Sequence, residues 1–117
     1  MRRTALIAIL PLLLLGSGEA TAHAFLDHAS PLVGSTVGSA PSEVTLWFTQ
    51  NLETSFSTMS VTNASGQRVD SGSVSVSGKT MRVSIRGTGA GTYRVTWRVL
   101  SVDTHTTQGN FSFRVGK

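Results

Sequence analysis

Two residues near the carboxyl end of the chain have the types and spacing of metal ligands. Asp103 and His105 lie two positions apart in a polar stretch that follows an alternating apolar segment. Residues i and i+2 of an extended chain project from the same face, so the carboxylate and the imidazole can converge on one point. The pair also has a purely structural alternative, since an aspartate in a loop can shape a turn by accepting backbone N–H hydrogen bonds. The pair therefore indicates a metal site only together with further donors.

A further donor depends on how the amino terminus is processed. The sequence begins with Met1, followed by Arg2 and Arg3, an apolar run over residues 5–15 and then small and polar residues. This is the three-part layout of a secretory signal peptide. The run is about half as long as the ~20 residues that a membrane-spanning helix needs. We therefore expect residues 1–22 to be a cleaved signal peptide and residues 23–117 to be a single exported domain without a transmembrane anchor.

The expected cleavage position changes the chemistry of one histidine. The small-x-small pattern ending at Ala22 predicts cleavage there, and a cut two residues earlier is the poorer alternative. Cleavage after Ala22 would give His23 a free α-amine beside its imidazole. Together with Asp103 and His105, the donors would be three nitrogens and one oxygen. Tetragonal coordination by nitrogen and oxygen suits Cu(II), which heads the affinity order of the divalent ions.

Composition excludes several other classes of protein. The 117 residues include no cysteine, which rules out thiolate zinc sites, iron–sulfur clusters, disulfide frameworks and thiol catalysis. The expected mature chain of 95 residues has eight basic and five acidic side chains, a net charge of +3. Its arginines alternate with apolar residues along predicted strands, which is typical of a solvated sheet face and does not favour a nucleic-acid partner.

The distribution of apolar residues predicts an all-β fold. Apolar and polar residues alternate with a period of two in four segments: 44–48, 81–86, 93–99 and 111–115. Turn-forming residues separate them, and no stretch shows a helical period over three turns. Short strands at this spacing indicate an antiparallel sandwich or barrel. We expect a small β-sandwich of immunoglobulin-like shape.

Several sequence blocks follow one another in a specific order. The chain has His-Ala-Phe-Leu at 23–26, Ser-Pro at 30–31, Ala-Pro at 40–41, Val-Thr-Leu-Trp-Phe at 44–48, G-x-Y-x-V-x-W-R-V at 91–99, S-x-D-x-H at 101–105 and G-x-F-x-F at 109–113. In these blocks the chain from His23 onward resembles the CopC family of periplasmic copper-binding proteins, over nearly all of its 95 residues.

The resemblance implies a fold and a ligand set. It implies a Greek-key β-sandwich of about seven strands with one Cu(II) site at one end. In the family, the processed amino-terminal histidine binds copper through its amine and imidazole, and the Asp and His of the S-x-D-x-H block complete the coordination. The corresponding metal ligands here are His23, Asp103 and His105.

Two departures from the family pattern affect the expected Cu(II) affinity and the expected oxidation state of the bound copper. Many relatives have a glutamate in an F-x-E-N-L block, where this chain has Gln50, so we expect somewhat weaker Cu(II) binding. Relatives with a separate Cu(I) site use clustered methionines, because soft thioethers select Cu(I). The expected mature chain has only Met59 and Met81, both on predicted strands. We interpret them as core residues and the chain as a member that binds Cu(II) alone.

The leading hypothesis is therefore an exported Cu(II) carrier or sequestering protein, not an enzyme. It would act in the periplasm or outside the cell and deliver copper to a separate membrane transporter of the CopD type. One alternative is an oxidase with a copper brace, as in polysaccharide monooxygenases. The small domain and a carboxylate in the coordination plane argue against it. Another alternative is a metal-free immunoglobulin-like interaction domain.

His28 is the histidine that the hypothesis leaves without a role. In a regular first strand it is one residue off the parity of His23, Phe25 and Asp27, so it is expected to face the opposite way. A solvent-exposed or turn-shaping histidine is the simpler interpretation. An auxiliary or transfer ligand for the metal is the alternative.

Overall fold

The computed structural model describes residues 23–116, which form eight strands and a single 3₁₀ turn, Thr54–Phe56. The strands are β1 Leu26–Ser30, β2 Thr36–Val37, β3 Glu43–Phe48, β4 Thr58–Thr62, β5 Asp70–Ser77, β6 Thr80–Ile85, β7 Gly91–Leu100 and β8 Thr106–Val115. Within this range, no helix is long and apolar enough to cross a membrane. The predicted signal peptide and its cleavage position lie outside the described residues.

The strands form two four-stranded sheets, in the orders β1-β3-β6-β5 and β2-β8-β7-β4. Only β5–β6 and β7–β8 are paired neighbours in sequence, and every other connection crosses between the sheets. All pairs are antiparallel except β2–β8, which is parallel. The predicted β-sandwich is confirmed. The eight strands agree with the about seven that the family resemblance implied, and β2 is only two residues long.

The core lies between the two sheets and follows the predicted alternation. Along β7, the inward positions are buried and the outward positions are exposed, and β8 shows the same pattern near its carboxyl end. Met59 on β4 and Met81 on β6 are 3% and 0% exposed. Both methionines therefore fill the core, as the sequence predicted, and burying a side chain of this size contributes about 1.5–3 kcal/mol.

A buried carboxylate holds the two sheets together at one edge. The Asp70 side chain on β5 is 0% exposed and accepts hydrogen bonds from Nε and Nη2 of Arg68 at 2.9 and 2.7 Å. It also accepts from the backbone N–H of Val61 on β4 at 2.8 Å and of Gly72 at 2.9 Å. Burial raises the pKa of Asp70, but the Arg68 guanidinium and the two N–H groups outweigh it and lower that pKa overall. The aspartate is therefore held as a carboxylate.

The first strand contains a β-bulge that changes the direction of two side chains. Leu26 pairs with Phe48 and His28 with Trp47, so Asp27 is an extra residue without a partner on β3. Asp27 and His28 are both exposed, whereas Ala29 is buried. A bulge interrupts the two-residue alternation at the extra residue. The expectation that Asp27 and His28 face opposite ways is therefore wrong.

Candidate metal centre

The three residues that the sequence predicted as ligands lie at one end of the sandwich. His23 precedes β1, and Asp103 and His105 lie in the connection from β7 to β8. The ring centroids of His23 and His105 are 4.5 Å apart, with the ring planes at 57°. His105 Nδ1 is 3.3 Å from Oδ1 of Asp103. The fold thus brings the first described residue beside a turn near the carboxyl end of the chain.

The position of His23 is fixed by the segment that follows it. Ala24 is 0% exposed and belongs to the hydrophobic core. Its carbonyl oxygen accepts a hydrogen bond from Oγ1 of Thr107, on β8, at 2.6 Å. On the other side, Phe25 N–H donates to Oγ1 of Thr49 at 2.9 Å, and the Thr49 N–H donates to the Phe25 carbonyl at 2.9 Å. Thr107 on β8 of one sheet and Thr49 after β3 of the other sheet therefore hold the backbone next to His23.

Sequence analysis did not identify these two threonines. Thr49 directly follows β3, and Thr107 is two residues after His105. A hydroxyl next to a predicted ligand is a weak signal, because threonine is common on exposed strand faces. Their roles depend on contacts across 24 and 83 positions of sequence.

Asp103 and His105 approach one another through a turn rather than along an extended strand. The Ser101 N–H donates to the His105 carbonyl at 2.9 Å, and the Thr104 N–H donates to the Ser101 carbonyl at 2.9 Å. Thr104 has φ +74°, in the left-handed region that costs a non-glycine residue about 1–2 kcal/mol. The expected convergence of carboxylate and imidazole is found, but the extended geometry assumed for it is wrong.

Ser101 organises this turn from a buried position. It is 0% exposed, and its hydroxyl donates to Oδ1 of Asp103. The same hydroxyl oxygen accepts from the His105 N–H at 3.3 Å. The hydrogen bond from Ser101 is the largest cause of a lowered pKa of Asp103. Burial opposes it, and the hydrogen bonds and charge of His105 add to the lowering. Asp103 therefore carries a negative charge near neutral pH, which favours a cation beside it.

The donor types fit copper, although the described atoms do not form a closed ligand cage. Within residues 23–116, no three His, Asp or Glu side chains are arranged to hold one ion together. Oδ1 of Asp103 is hydrogen-bonded to Ser101 and lies close to His105. The backbone nitrogen of His23 is an amide in the full 117-residue sequence. The expected set of three nitrogens and one oxygen therefore depends on cleavage directly before His23.

Exposed groups surround the two imidazoles. The Asp103 and His105 side chains are 41% and 48% exposed. Phe25 is 48% exposed, and its ring centroid is 5.9 Å from that of His23. Gln50 is half-buried and directly follows Thr49, so it lies at this end of the sandwich. The open surroundings leave room for an ion to enter and for ligands to exchange.

Comparison with known proteins places the chain in one family. Residues 26–116 match the CopC domain. The chain is 36% identical to Copper resistance protein C of Pseudomonas syringae pv. tomato, over 98% of both chains. It is 31% identical to Copper transport protein CutJ of Bacillus subtilis over 82% of this chain, which corresponds to 18% of that much longer protein.

Solved structures show the same fold. The crystal structure of CopC from Methylosinus trichosporium OB3b superposes with a TM-score of 0.75 at 29% identity, covering 80% of this chain and 94% of that one. PcoC of Escherichia coli, described as a methionine-rich copper resistance protein, gives a TM-score of 0.71 at 36% identity, covering 80% and 99%. CopC proteins are periplasmic copper-binding carriers rather than enzymes. From its sequence match, its two-sheet sandwich and these relatives, this chain belongs to the CopC family of copper resistance proteins.

Proposed function

We propose that the protein, cleaved after Ala22, binds one Cu(II) through the amine and imidazole of His23, the carboxylate of Asp103 and the imidazole of His105. It sequesters or carries this ion in the periplasm or outside the cell. The observation that supports the proposal most is the 4.5 Å separation of the two imidazole rings at an exposed end of the sandwich.

Each proposed ligand has a distinct contribution. The amine and imidazole of one residue form a chelate, so binding the first orders the second. Asp103 adds the negative charge that partly balances the ion, and Ser101 holds that carboxylate in its ionised form. The exposed surroundings permit ligand exchange with a partner, as a carrier requires.

Cu(II), rather than Cu(I), is the oxidation state that the side chains favour. Imidazole, amine and carboxylate suit Cu(II), whereas thioethers select Cu(I). Met59 and Met81 are both buried in the core, so neither can act as a surface thioether ligand. The methionine-rich description of the Escherichia coli relative does not extend to the described part of this chain.

We further propose that copper is delivered to a separate membrane transporter of the CopD type. The support comes from the relative named Copper transport protein CutJ, in which the matching region is a small part of a much longer chain. Phe25 and Val102 are 48% and 51% exposed beside the site. These apolar groups could contact a partner while its ligands replace His23 and His105 on the ion.

The decisive experiment compares two amino termini. Protein exported from its own signal peptide is checked by mass and titrated with Cu(II) while the electron paramagnetic resonance spectrum is recorded. The matched control carries one extra alanine before His23. We expect one equivalent with a nitrogen-rich tetragonal spectrum for the native form, and a changed spectrum and weaker binding for the extended form. Identical spectra would exclude the α-amine as a ligand, and absence of binding by the native form would refute the proposed function.

A further inference from the structure

A second group of potential metal-binding atoms lies on the outer face of the sheet that contains β1 and β3. His28 Nδ1 is 2.8 Å from Oδ2 of Asp27. The His28 ring lies flat on the indole of Trp47, with the centroids 4.3 Å apart and the planes at 7°. Both polar side chains are accessible, since His28 is 52% and Asp27 62% exposed.

This arrangement depends on the β-bulge in β1. In a regular strand, neighbouring side chains point to opposite faces. Asp27 is the extra residue of the bulge, and His28 pairs with Trp47 instead of continuing the register set by Leu26. Bulges commonly redirect a side chain next to a functional site. Here the bulge places a carboxylate and an imidazole side by side on one exposed face.

The contacts with Asp27 and Trp47 leave the Nε2 nitrogen of His28 available to bind a metal ion. A carboxylate that accepts the Nδ1–H hydrogen bond leaves the lone pair on Nε2, and such a partner also fixes the orientation of the ring. Stacking on Trp47 restrains the ring plane from a second direction. The result is an oriented, solvent-accessible imidazole with an adjacent negative charge.

We propose that Asp27, His28 and Trp47 form a second, weaker Cu(II) site, with Nε2 of His28 as its imidazole ligand and water in the remaining positions. Cu(II) is the divalent ion that imidazole binds most tightly in the general affinity order. Within residues 23–116 no group of three His, Asp or Glu side chains is arranged to hold one ion. His28 is therefore the single side-chain ligand, and copper binds weakly and exchanges readily. Four residues lie between His23 and His28, so the two α-carbons are at most about 18 Å apart.

The second site does not rest on the ligand set proposed around His23. A single chain can therefore hold a tightly bound ion at the end of the sandwich and a loosely bound ion on the sheet face. Copper at His28 would raise the local concentration of the ion close to the first site.

The test is a titration of mature protein beyond one equivalent of Cu(II), read by tryptophan fluorescence and by paramagnetic broadening of histidine side-chain resonances. We expect a second, weaker phase that quenches fluorescence and broadens the His28 signals. His28→Gln should remove that phase and leave the first unchanged. Asp27→Asn should weaken it by about 10-fold or more, the usual effect of losing the carboxylate partner of a ligating histidine.

Two controls separate this proposal from the proposed function. Ser30→Ala changes an exposed residue of the same strand and should leave both phases unchanged. His105→Ala should weaken only the first phase. Thermal unfolding of each variant establishes that the sandwich is intact. A missing second phase in the unsubstituted protein, or a second phase that persists in His28→Gln, would overturn the second site whatever happens at the first.

Discussion

Thr107→Val tests whether the core-anchored segment next to His23 prepares the copper site. Valine has nearly the shape of threonine but no hydroxyl, so the substitution removes the hydrogen bond to the Ala24 carbonyl, 2.6 Å long in the structure. Ala24 is 0% exposed, so water does not readily replace the donor. A buried acceptor left without a partner costs about 1–3 kcal/mol, and we expect the free energy of unfolding to fall by about that amount.

Loss of this hydrogen bond should also weaken Cu(II) binding, because the bond helps to hold the backbone next to His23. If the segment is held less firmly, copper binding must order it. A cost of about 1 kcal/mol then corresponds to about fivefold weaker Cu(II) binding. The assay is a competition titration against a chelator of known affinity, paired with chemical denaturation of the metal-free protein. Thr106→Val on the exposed face of the same strand is the matched control. Unchanged copper affinity in a Thr107→Val protein with reduced stability would refute the link between anchoring and binding.

Three further predictions concern ligands and charge. His105→Ala and Asp103→Ala should each weaken Cu(II) binding at least tenfold. Because both side chains are exposed, the thermal unfolding temperature should change by no more than a few degrees. Unchanged affinity in both variants would contradict the assigned site. Gln50→Glu should tighten Cu(II) binding severalfold by adding a negative charge near the ion, measured by the same competition titration; equal or weaker binding would contradict it. Ionised Asp70 stabilises the fold above its ordinary pKa of 3.8, and because the folded pKa is lower, this stability is lost as pH falls below 3.8. Denaturation measured from about pH 5 to 2 should show a steeper loss for the unsubstituted protein than for Asp70→Asn, and parallel curves would contradict the role of the carboxylate.

The alternation of apolar residues predicted most of the strands, but neither the two-residue strand β2 nor β5. The strands β3, β6, β7 and β8 each bury one face. A strand with one buried face shows in the sequence as an alternation of apolar and polar residues. Strand β5 is a serine- and glycine-containing edge strand in which only Val74 and Val76 pack against the core. An edge strand with few buried side chains carries little of the period-two signal, so its existence is decided by pairing with β6.

Some features of the candidate site were likewise predictable from the sequence, whereas others depended on the tertiary structure. The residue types suited to copper, the His at the expected processed start and the Asp-x-His block, are local features that the sequence alone determined, together with the all-β class. The placing of His23 against His105 was decided by tertiary structure, through Thr49, Thr107 and the burial of Ala24. The pairing of Asp27 with His28 was decided by a register shift against β3. Composition and periodicity report which face of a segment is apolar, whereas bulges, turns and long-range hydrogen bonds depend on which other segment lies opposite. A single local sequence does not contain that information, and only the packed sandwich supplies it.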